Sequence, residues 1–173
     1  MRVFTVVGPS GAGKDTLMEA AAARPGVALV RRVITRPKGA GGEDCECVTP
    51  EEFARRKALG AFALDWDAHG LSYGIPRALP DASVVLMNLS RQVLDHACAA
   101  FPGLEVLIIT ARPEVLAARL AARGREDAAD IAARLDRDAA LASCAAKVTI
   151  IDNSGPLDQA TAAFLAAIGR VPS

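Results

Sequence analysis

Residues 8–16 read GPSGAGKDT and follow directly on the apolar run at residues 3–7. Glycines at these spacings let successive backbone N–H groups turn inward toward phosphate oxygens, and the lysine adds a mobile cation. A helix that begins beside the lysine would point its positive end at the same anion. A glycine-rich turn with a chance lysine is the alternative, but the order of strand, loop and helix favours a nucleotide phosphate site. The predicted site residues are Gly8, Pro9, Ser10, Gly11, Ala12, Gly13, Lys14, Asp15 and Thr16.

Asp15 departs from the usual form of this loop, in which a serine or threonine follows the lysine and gives magnesium a hydroxyl ligand. Two interpretations stay open. Asp15 is an acid in the first turn of a helix, where the helix dipole favours negative charge, or it holds Mg²⁺ directly or through water. The apolar run at residues 84–87 ends in Asn88, where many enzymes with such a loop present an acid. We therefore hypothesise that the missing carboxylate has moved to Asp15 and that Asp15 is the metal ligand.

Short apolar runs alternate with alanine-rich segments along the chain. The runs are rich in β-branched residues or leucine, as buried strands are, and lie at residues 3–7, 27–34, 84–87, 104–109 and 148–151. The other segments have helical propensity and period, and lie at residues 15–23, 50–59, 91–100, 113–122, 128–142 and 157–168. This alternation predicts one α/β domain over residues 1–173 with a mostly parallel, five-stranded sheet. Residues 35–49 and 67–82 carry glycine, proline and charge, so we predict irregular, substrate-contacting loops there.

Charge and composition exclude several classes of function. The chain of 173 residues has 20 Lys and Arg against 20 Asp and Glu, so its net charge is zero. This balance disfavours a binder of nucleic acid or of membrane surfaces. The apolar runs fall short of the ~18 residues of a membrane span and the first residues lack a signal-peptide pattern, so we expect a cytoplasmic protein. The four cysteines form no CxxC pair, and we expect them to be structural.

Motifs beyond the phosphate loop occur in the order found in guanylate kinases. They are Thr35-Arg36-Pro37, Gly42-Glu43-Asp44, Tyr73-Gly74 and the arginines of residues 119–137, and the match covers nearly the whole chain. The chain thus resembles the guanylate kinase superfamily. That resemblance implies the three-layer fold of P-loop NTPases, with an acceptor-binding flap at residues 35–82 and an arginine-rich lid at residues 119–137.

Three positions depart from the pattern of guanylate kinases. When the motifs are aligned, a phosphate-binding tyrosine falls on Cys45, the guanine-reading glutamate on Leu64, and an aspartate at the end of the central strand on Asn88. A leucine cannot accept hydrogen bonds from a base. A guanine pocket built on these residues would leave donors of the base unpaired, which is a strong ground for rejecting that substrate.

A closer resemblance rests on six segments, GPSGAGKD, RRVITRP, GGED, FALDWDAHGLSYGIP, NLSR and ARLAARGRE. Together they resemble the ribose 1,5-bisphosphate phosphokinases of phosphonate breakdown, whose sequences include the aspartate after the loop lysine. The resemblance implies that ATP and ribose 1,5-bisphosphate react to give ADP and 5-phosphoribosyl 1-diphosphate, with Mg²⁺ as cofactor. We expect a monomer or homodimer whose partner is a small phosphorylated sugar. Residues 77–83 are shorter than the family's usual helix, which would change one wall of the acceptor pocket.

The candidate acceptor residues lie in these segments. The attacking oxygen of the 1-phosphate is ionised at neutral pH, so catalysis needs alignment and charge neutralisation rather than a general base. Arg36, with Arg32 and Lys38 nearby, can bind a phosphate bidentately, and His69 lies close to Tyr73 in the chain. A solvated loop is the alternative for both. With the residues that the resemblance adds, the predicted substrate-binding set is Arg36, Glu43, Asp44, His69, Tyr73, Asn88, Ser90 and Arg91.

The arginines around the turn Arg123-Gly124-Arg125 predict a lid that presents guanidinium groups to the transferred phosphoryl group. Arg119 and Arg123 are four residues apart and share a helix face, and Arg134 matches a family position. We predict that these three arginines are catalytic together with Lys14. Acids are interleaved with them, so an ordinary charged surface is the alternative.

Asn153 follows the last predicted strand, where related kinases contact adenine. We therefore include Asn153 in the ATP site. A simple turn before the last helix is the alternative.

Two other functions stay open from the sequence. A nucleoside monophosphate kinase, such as a guanylate kinase, is opposed by Cys45 and Leu64. A guanylate-kinase-like binding module without catalysis is opposed by Lys14 and the lid arginines, which such modules usually lose.

Replacing Lys14 with alanine should leave the fold intact and slow phosphoryl transfer by about a hundredfold or more, because it removes the cation that stabilises the transferred group. Steady-state kinetics, with circular dichroism to check the fold, measures this. A folded Lys14→Ala protein with near wild-type turnover would contradict the phosphate-loop assignment.

Overall fold

The computed structural model describes residues 1–37, 39, 44–122 and 147–169. Two β-sheets and five α-helices lie within these residues. In chain order the elements are β1 (Arg2–Val7), α1 (Lys14–Ala22), β2 (Val27–Leu29), β3 (Val33–Ile34), β4 (Glu46–Cys47), α2 (Pro50–Ala58), β5 (Phe62–Ala68), β6 (Leu71–Pro76), β7 (Val84–Asn88), α3 (Leu94–Ala100), β8 (Glu105–Thr110), α4 (Pro113–Ala122), β9 (Val148–Asp152) and α5 (Leu157–Ile168).

The central sheet has five strands in the order β2-β7-β1-β8-β9, and all neighbouring pairs are parallel. This confirms the predicted parallel sheet and its α/β fold class. Parallel strands buried on both faces need continuous apolar sequence, and β1, β7 and β8 have it. One prediction was wrong: residues 27–34 do not form a single strand. The chain leaves the central sheet after Val30, whose N–H still donates to the carbonyl of Leu86 (2.9 Å), and β3 enters the second sheet.

The helices begin and end close to their predicted limits. Thr49 caps α2, because its hydroxyl oxygen accepts from the N–H of Glu52 (3.2 Å) and Pro50 occupies the first turn. The segment predicted as a helix at residues 91–100 opens instead with a 3₁₀ turn (Arg91–Val93) and becomes α-helical at Leu94. The helix predicted at residues 128–142 lies outside the described residues.

The second sheet has four strands in the order β4-β3-β6-β5, and β5 and β6 form an antiparallel hairpin. The prediction of irregular structure over residues 35–49 and 67–82 was therefore partly wrong, since β4 and β6 lie there. Gly74 and Pro76 suggested a loop, but Pro76 ends its strand. Gly74 is needed within the strand, because a Cβ there would lie 2.7 Å from the ring of Phe62.

Two apolar cores cover the faces of the central sheet. On one face, α1, α4 and α5 pack against β1, β7 and β8 through residues such as Leu17, Leu116 and Phe164. On the other face, α3 and the second sheet share one core with the same strands, which includes Ile34 and Ile75. The three layers predicted from the resemblance are therefore present. The common core holds the second sheet against the central sheet. Side chains from both sheets therefore reach the same edge of the central sheet.

None of the helices in the described part of the chain is both long and apolar enough to cross a membrane.

Candidate active site

The loop between β1 and α1 is held in its turn by two close approaches. A Cβ on Gly8 would lie 2.2 Å from the carbonyl oxygen of Ile109, which leaves room only for glycine. Gly13 precedes the first residue of α1 with φ +89°, and a Cβ there would lie 2.5 Å from Nδ2 of Asn153. Backbone at such φ favours glycine. Gly8 and Gly13, two of the glycines predicted to cradle phosphate, are thus required by the packing of β8 and of the turn after β9.

Lys14 is the first residue of α1, and its ammonium group lies over the loop. Nζ donates to the carbonyl oxygens of Gly8 (2.8 Å) and Pro9 (3.1 Å). The charge is therefore held at the mouth of the loop, on the side where the positive end of α1 also points. Loop amides, helix terminus and ammonium favour an anion at the same place.

A cavity of about 360 Å³ opens from this loop. Its walls come from the loop and the start of α1, from the β5–β6 hairpin with Arg32, and from the segment after β7. The lining residues are Gly8, Ser10, Gly11, Gly13, Lys14, Asp15, Thr16, Arg32, Trp66, Ala68, His69, Tyr73, Asn88, Leu89, Ser90, Arg91 and Gln92. The structure thus brings most of the predicted phosphate-loop residues together with five predicted acceptor residues, His69, Tyr73, Asn88, Ser90 and Arg91.

Asp15 and Asn88 meet on the cavity wall, although they are 73 residues apart in the chain. Asn88 Nδ2 donates to Asp15 Oδ1 at 3.1 Å. Asn88 ends β7, the strand next to β1 in the central sheet, where the sequence suggested that an acid was missing. The contact brings the carboxylate of Asp15 to that strand end, and carboxylate and amide oxygens are the ligand types that magnesium takes.

Arg119 and Asn153 support the loop from behind. Arg119 donates through Nη1 to the carbonyl of Gly11 (3.2 Å) and through Nη2 to the carbonyl of Asn153 (2.8 Å). Asn153 is 2% exposed, and its Nδ2 donates to the carbonyl of Ala12 (2.7 Å). Neither side chain lines the cavity. The predicted catalytic role of Arg119 and the predicted adenine contact of Asn153 stay predictions, while these contacts favour a role in positioning the loop.

The turn that carries Asn153 is ordered by its neighbours. The hydroxyl and the N–H of Ser154 both donate to the carboxylate of Asp152 and hold the pKa of Asp152 below its usual range. Ser154 in turn accepts from the N–H of Arg112 at 2.7 Å. These bonds fix the turn after β9 against the segment that leads into α4, and so fix the support behind the loop.

Those remaining predicted residues that the structure describes do not line the cavity. Arg36 is half-buried and does not line it, and Pro9 and Ala12 are buried parts of the loop. Asp44 is exposed, pairs with Arg31 (3.2 Å), and lines a separate cavity of about 170 Å³. Glu43, Arg123 and Arg134 lie outside the described residues.

Comparison with curated proteins decides the family. Over 166 residues the chain is 49% identical to the ribose 1,5-bisphosphate phosphokinase PhnN of Agrobacterium fabrum (strain C58), and the match covers 91% of each chain. It is 52% identical over 164 residues to the protein of that name from Ruegeria sp. (strain TM1040), covering 91% of this chain and 86% of the relative. The chain belongs to the ribose 1,5-bisphosphate phosphokinase family.

Solved structures agree on the fold. Guanylate kinase from Anaplasma phagocytophilum matches with a TM-score of 0.64 at 20% identity, covering 98% of this chain and 87% of that one. A gluconokinase from Sinorhizobium meliloti 1021 matches with a TM-score of 0.53 at 18% identity, covering 98% and 92%. These likenesses show that this phosphokinase-family chain has the fold of P-loop kinases. A scan against protein-family models finds no match.

Sequence reasoning missed five residues of this phosphokinase cavity, which are Arg32, Trp66, Ala68, Leu89 and Gln92. Arg32 was noted only as a neighbour of Arg36, yet Arg32 lines the cavity and Arg36 does not. The signal for Arg32 was its place just before the short strand β3, where a charged residue interrupts an apolar run. The signal for Trp66 was its rarity, since the chain has one tryptophan.

Replacing Arg119 with methionine should lower the free energy of unfolding by about 2 kcal/mol, because two loop carbonyls lose a charged donor while the stem of the side chain is kept. Arg112→Met is the matched control. Its side chain is 65% exposed and its Nε lies 3.6 Å from Oε1 of Glu114, and such surface pairs contribute ~0–1 kcal/mol. Urea unfolding of both variants measures the difference. Equal, small losses would contradict the positioning role of Arg119.

Proposed function

We propose that this chain transfers the γ-phosphoryl group of ATP to the 1-phosphate of ribose 1,5-bisphosphate, which is the substrate that the names of its relatives give for them. The observation that carries the proposal is the single cavity that joins the Lys14 loop to a cationic acceptor wall. Arg32 and Arg91 give that wall its positive charge, His69 also lines it, and Asp15 is the one acid among the described lining residues. Such a lining suits a highly anionic donor and acceptor.

The reaction requires no proton abstraction by the protein. An oxygen of the 1-phosphate attacks the γ-phosphorus of ATP, a new P–O bond forms, and the bond from that phosphorus to the β,γ-bridging oxygen breaks. ADP leaves with the bridging oxygen, and the acceptor becomes 5-phosphoribosyl 1-diphosphate. The attacking oxygen is already ionised near neutral pH, because the second pKa of a phosphate monoester is about 6. The protein therefore contributes alignment and charge neutralisation.

The phosphate loop and α1 would bind the ATP phosphates, with Lys14 neutralising charge on the β- and γ-phosphates. Bound Mg²⁺ would supply further charge neutralisation. The oxygen of Asp15 on the cavity wall, held by Asn88, fits a hard cation, and we assign the metal to Asp15. Arg123 and Arg134 are proposed to act as lid arginines, and Asn153 to contribute to the ATP site.

The acceptor wall favours a sugar phosphate over a nucleotide. Leu64 and Cys45, at the two positions that correspond to base- and phosphate-binding residues of guanylate kinases, are 7% and 8% exposed and belong to the shared apolar core. Leu64 pairs with Ile75 across the hairpin. A base edge would find no acceptor at Leu64, so the site offers phosphate contacts without reading a base. His69, Tyr73, Asn88, Ser90 and Arg91 are proposed to contact the acceptor; for Arg36, Glu43 and Asp44 that role stays a prediction.

The acceptor prediction is that ribose 1,5-bisphosphate is phosphorylated with ATP and Mg²⁺, while GMP, AMP, CMP and UMP are poor substrates. The expected ratio of kcat/KM between the bisphosphate and each nucleotide is about 10⁴ or more, the discrimination of sites that depend on polar complementarity. ADP release for each acceptor, with the product identified by mass, measures this. Efficient turnover of GMP without turnover of the bisphosphate would overturn the acceptor assignment and leave the phosphate-loop assignment standing.

Replacing Asp15 with asparagine should raise the Mg²⁺ concentration for half-maximal rate by about tenfold or more, because a charged ligand is lost. Asp158→Asn is the matched control, since Asp158 is also an acid in the first turn of a helix, α5. Both changes should lower stability slightly through the helix dipole. An unchanged magnesium dependence in Asp15→Asn would leave Asp15 only its role in the helix.

A further inference from the structure

The proposed acceptor carries two phosphates, of which only one reacts. The other gives binding energy that can hold the reacting phosphate in line, provided that the protein binds it at a fixed place. Lys14 and the loop amides serve the transferred group. Cations elsewhere on the cavity wall are therefore candidates for the second phosphate, and Arg32 and Arg91 lie there.

Arg32 has a guanidinium group whose orientation is fixed. Nη1 donates to the carbonyl of Asn88 at 3.1 Å, which ties Arg32 to the end of β7. Its Cζ lies 5.2 Å from the ring centre of Tyr73 and 5.9 Å from that of Trp66. The two rings are themselves stacked, with centres 5.2 Å apart and planes 9° from parallel. A guanidinium packed on aromatic faces keeps its charge and offers a planar edge to an anion.

Arg91 reaches the same wall from the segment after β7. It begins a 3₁₀ turn that Ser90 caps, since the hydroxyl oxygen of Ser90 accepts from the N–H of Gln92 (3.4 Å). Nε of Arg91 is buried and has no hydrogen-bond partner among the described residues. A buried charged donor without an acceptor is unfavourable, and an anion in the cavity would supply the acceptor.

We propose that Arg32 and Arg91 together bind the 5-phosphate of the acceptor, the phosphate that takes no part in the transfer. The proposal rests on the proposed function and adds the residues that select the substrate. Both arginines line the same cavity, where Arg32 donates to the carbonyl of Asn88, three residues before Arg91 in the chain. A guanidinium pair matches the oxygens of a phosphate dianion bidentately. An acceptor with a base in place of the second phosphate brings no anion to these two cations and therefore binds less tightly.

The test combines a protein change with a substrate change. The Kd values of ribose 1,5-bisphosphate and of ribose 1-phosphate, which lacks the 5-phosphate, are measured by calorimetry with Mg²⁺ and a non-hydrolysable ATP analogue. Arg32→Gln and Arg91→Gln should each weaken binding of the bisphosphate by about 100-fold. Each should change binding of ribose 1-phosphate by less than about threefold, because this ligand lacks the 5-phosphate that the two arginines are proposed to bind. Arg32→Lys keeps the charge and should retain part of the affinity.

Arg31→Gln is the matched control, since Arg31 is the next residue in the chain, points its charge at Asp44 and does not line the main cavity. It should leave both Kd values unchanged. Equal losses for the two ligands in Arg32→Gln and Arg91→Gln would overturn the proposal, and so would unchanged affinity for the bisphosphate. If Arg32→Gln does not fold, Arg32→Lys and Arg91→Gln decide the question.

Turnover measured in parallel separates this proposal from the proposed function. If the Kd values of the wild type and the variants follow the predicted pattern but the wild type transfers no phosphoryl group, the proposed function is contradicted and the phosphate site is supported. Wild-type protein that transfers the group, while the arginine variants discriminate between the two ligands as strongly as the Arg31→Gln control, would contradict the phosphate site alone. A wild-type protein that does not bind the bisphosphate would contradict both.

Discussion

The contact of Gly8 with the carbonyl of Ile109 is the constraint on which the site depends. It seats the phosphate loop directly against β8, so the position of the loop follows from the register of the central sheet. Behind the loop, Arg119 and Asn153 bind the carbonyls of Gly11 and Ala12. A loop fixed from two sides presents its amides without reorganisation when charge develops in the transition state, which is the condition under which such groups are most effective.

The second sheet extends this constraint to the acceptor. Most of its buried residues share one apolar core with β1, β7 and β8, so the hairpin that carries Trp66 and Tyr73 is packed against the strands that carry the loop. Protein interiors are close-packed and hardly compressible, so the position of one packed element fixes the positions of its neighbours. Under the proposed function, this packing would set the distance between the donor and acceptor phosphates, as a reaction that depends on alignment requires.

The sequence predicted those parts of the molecule that local rules govern. The phosphate loop, the parallel strands and the cap at Thr49 follow from residue type and spacing. The strand β6 was missed because Gly74 and Pro76 indicate a loop locally, while the ring of Phe62 and the neighbouring strand β5 decide the conformation. Arg32 was missed and Arg36 preferred for a similar reason. Which of the two nearby arginines faces the cavity depends on how β3 pairs in the second sheet. That pairing cannot be predicted from the local sequence.

The central claim is that the cavity aligns ATP with the 1-phosphate of a sugar bisphosphate. Phosphorus NMR of the wild-type protein with ATP, Mg²⁺ and ribose 1,5-bisphosphate tests it most directly, because adjacent phosphorus atoms in a diphosphate split each other's signals. The account predicts ADP together with a new coupled pair from a diphosphate on C1, while the 5-phosphate signal stays uncoupled. A coupled diphosphate on C5, or ADP with inorganic phosphate alone, would contradict it.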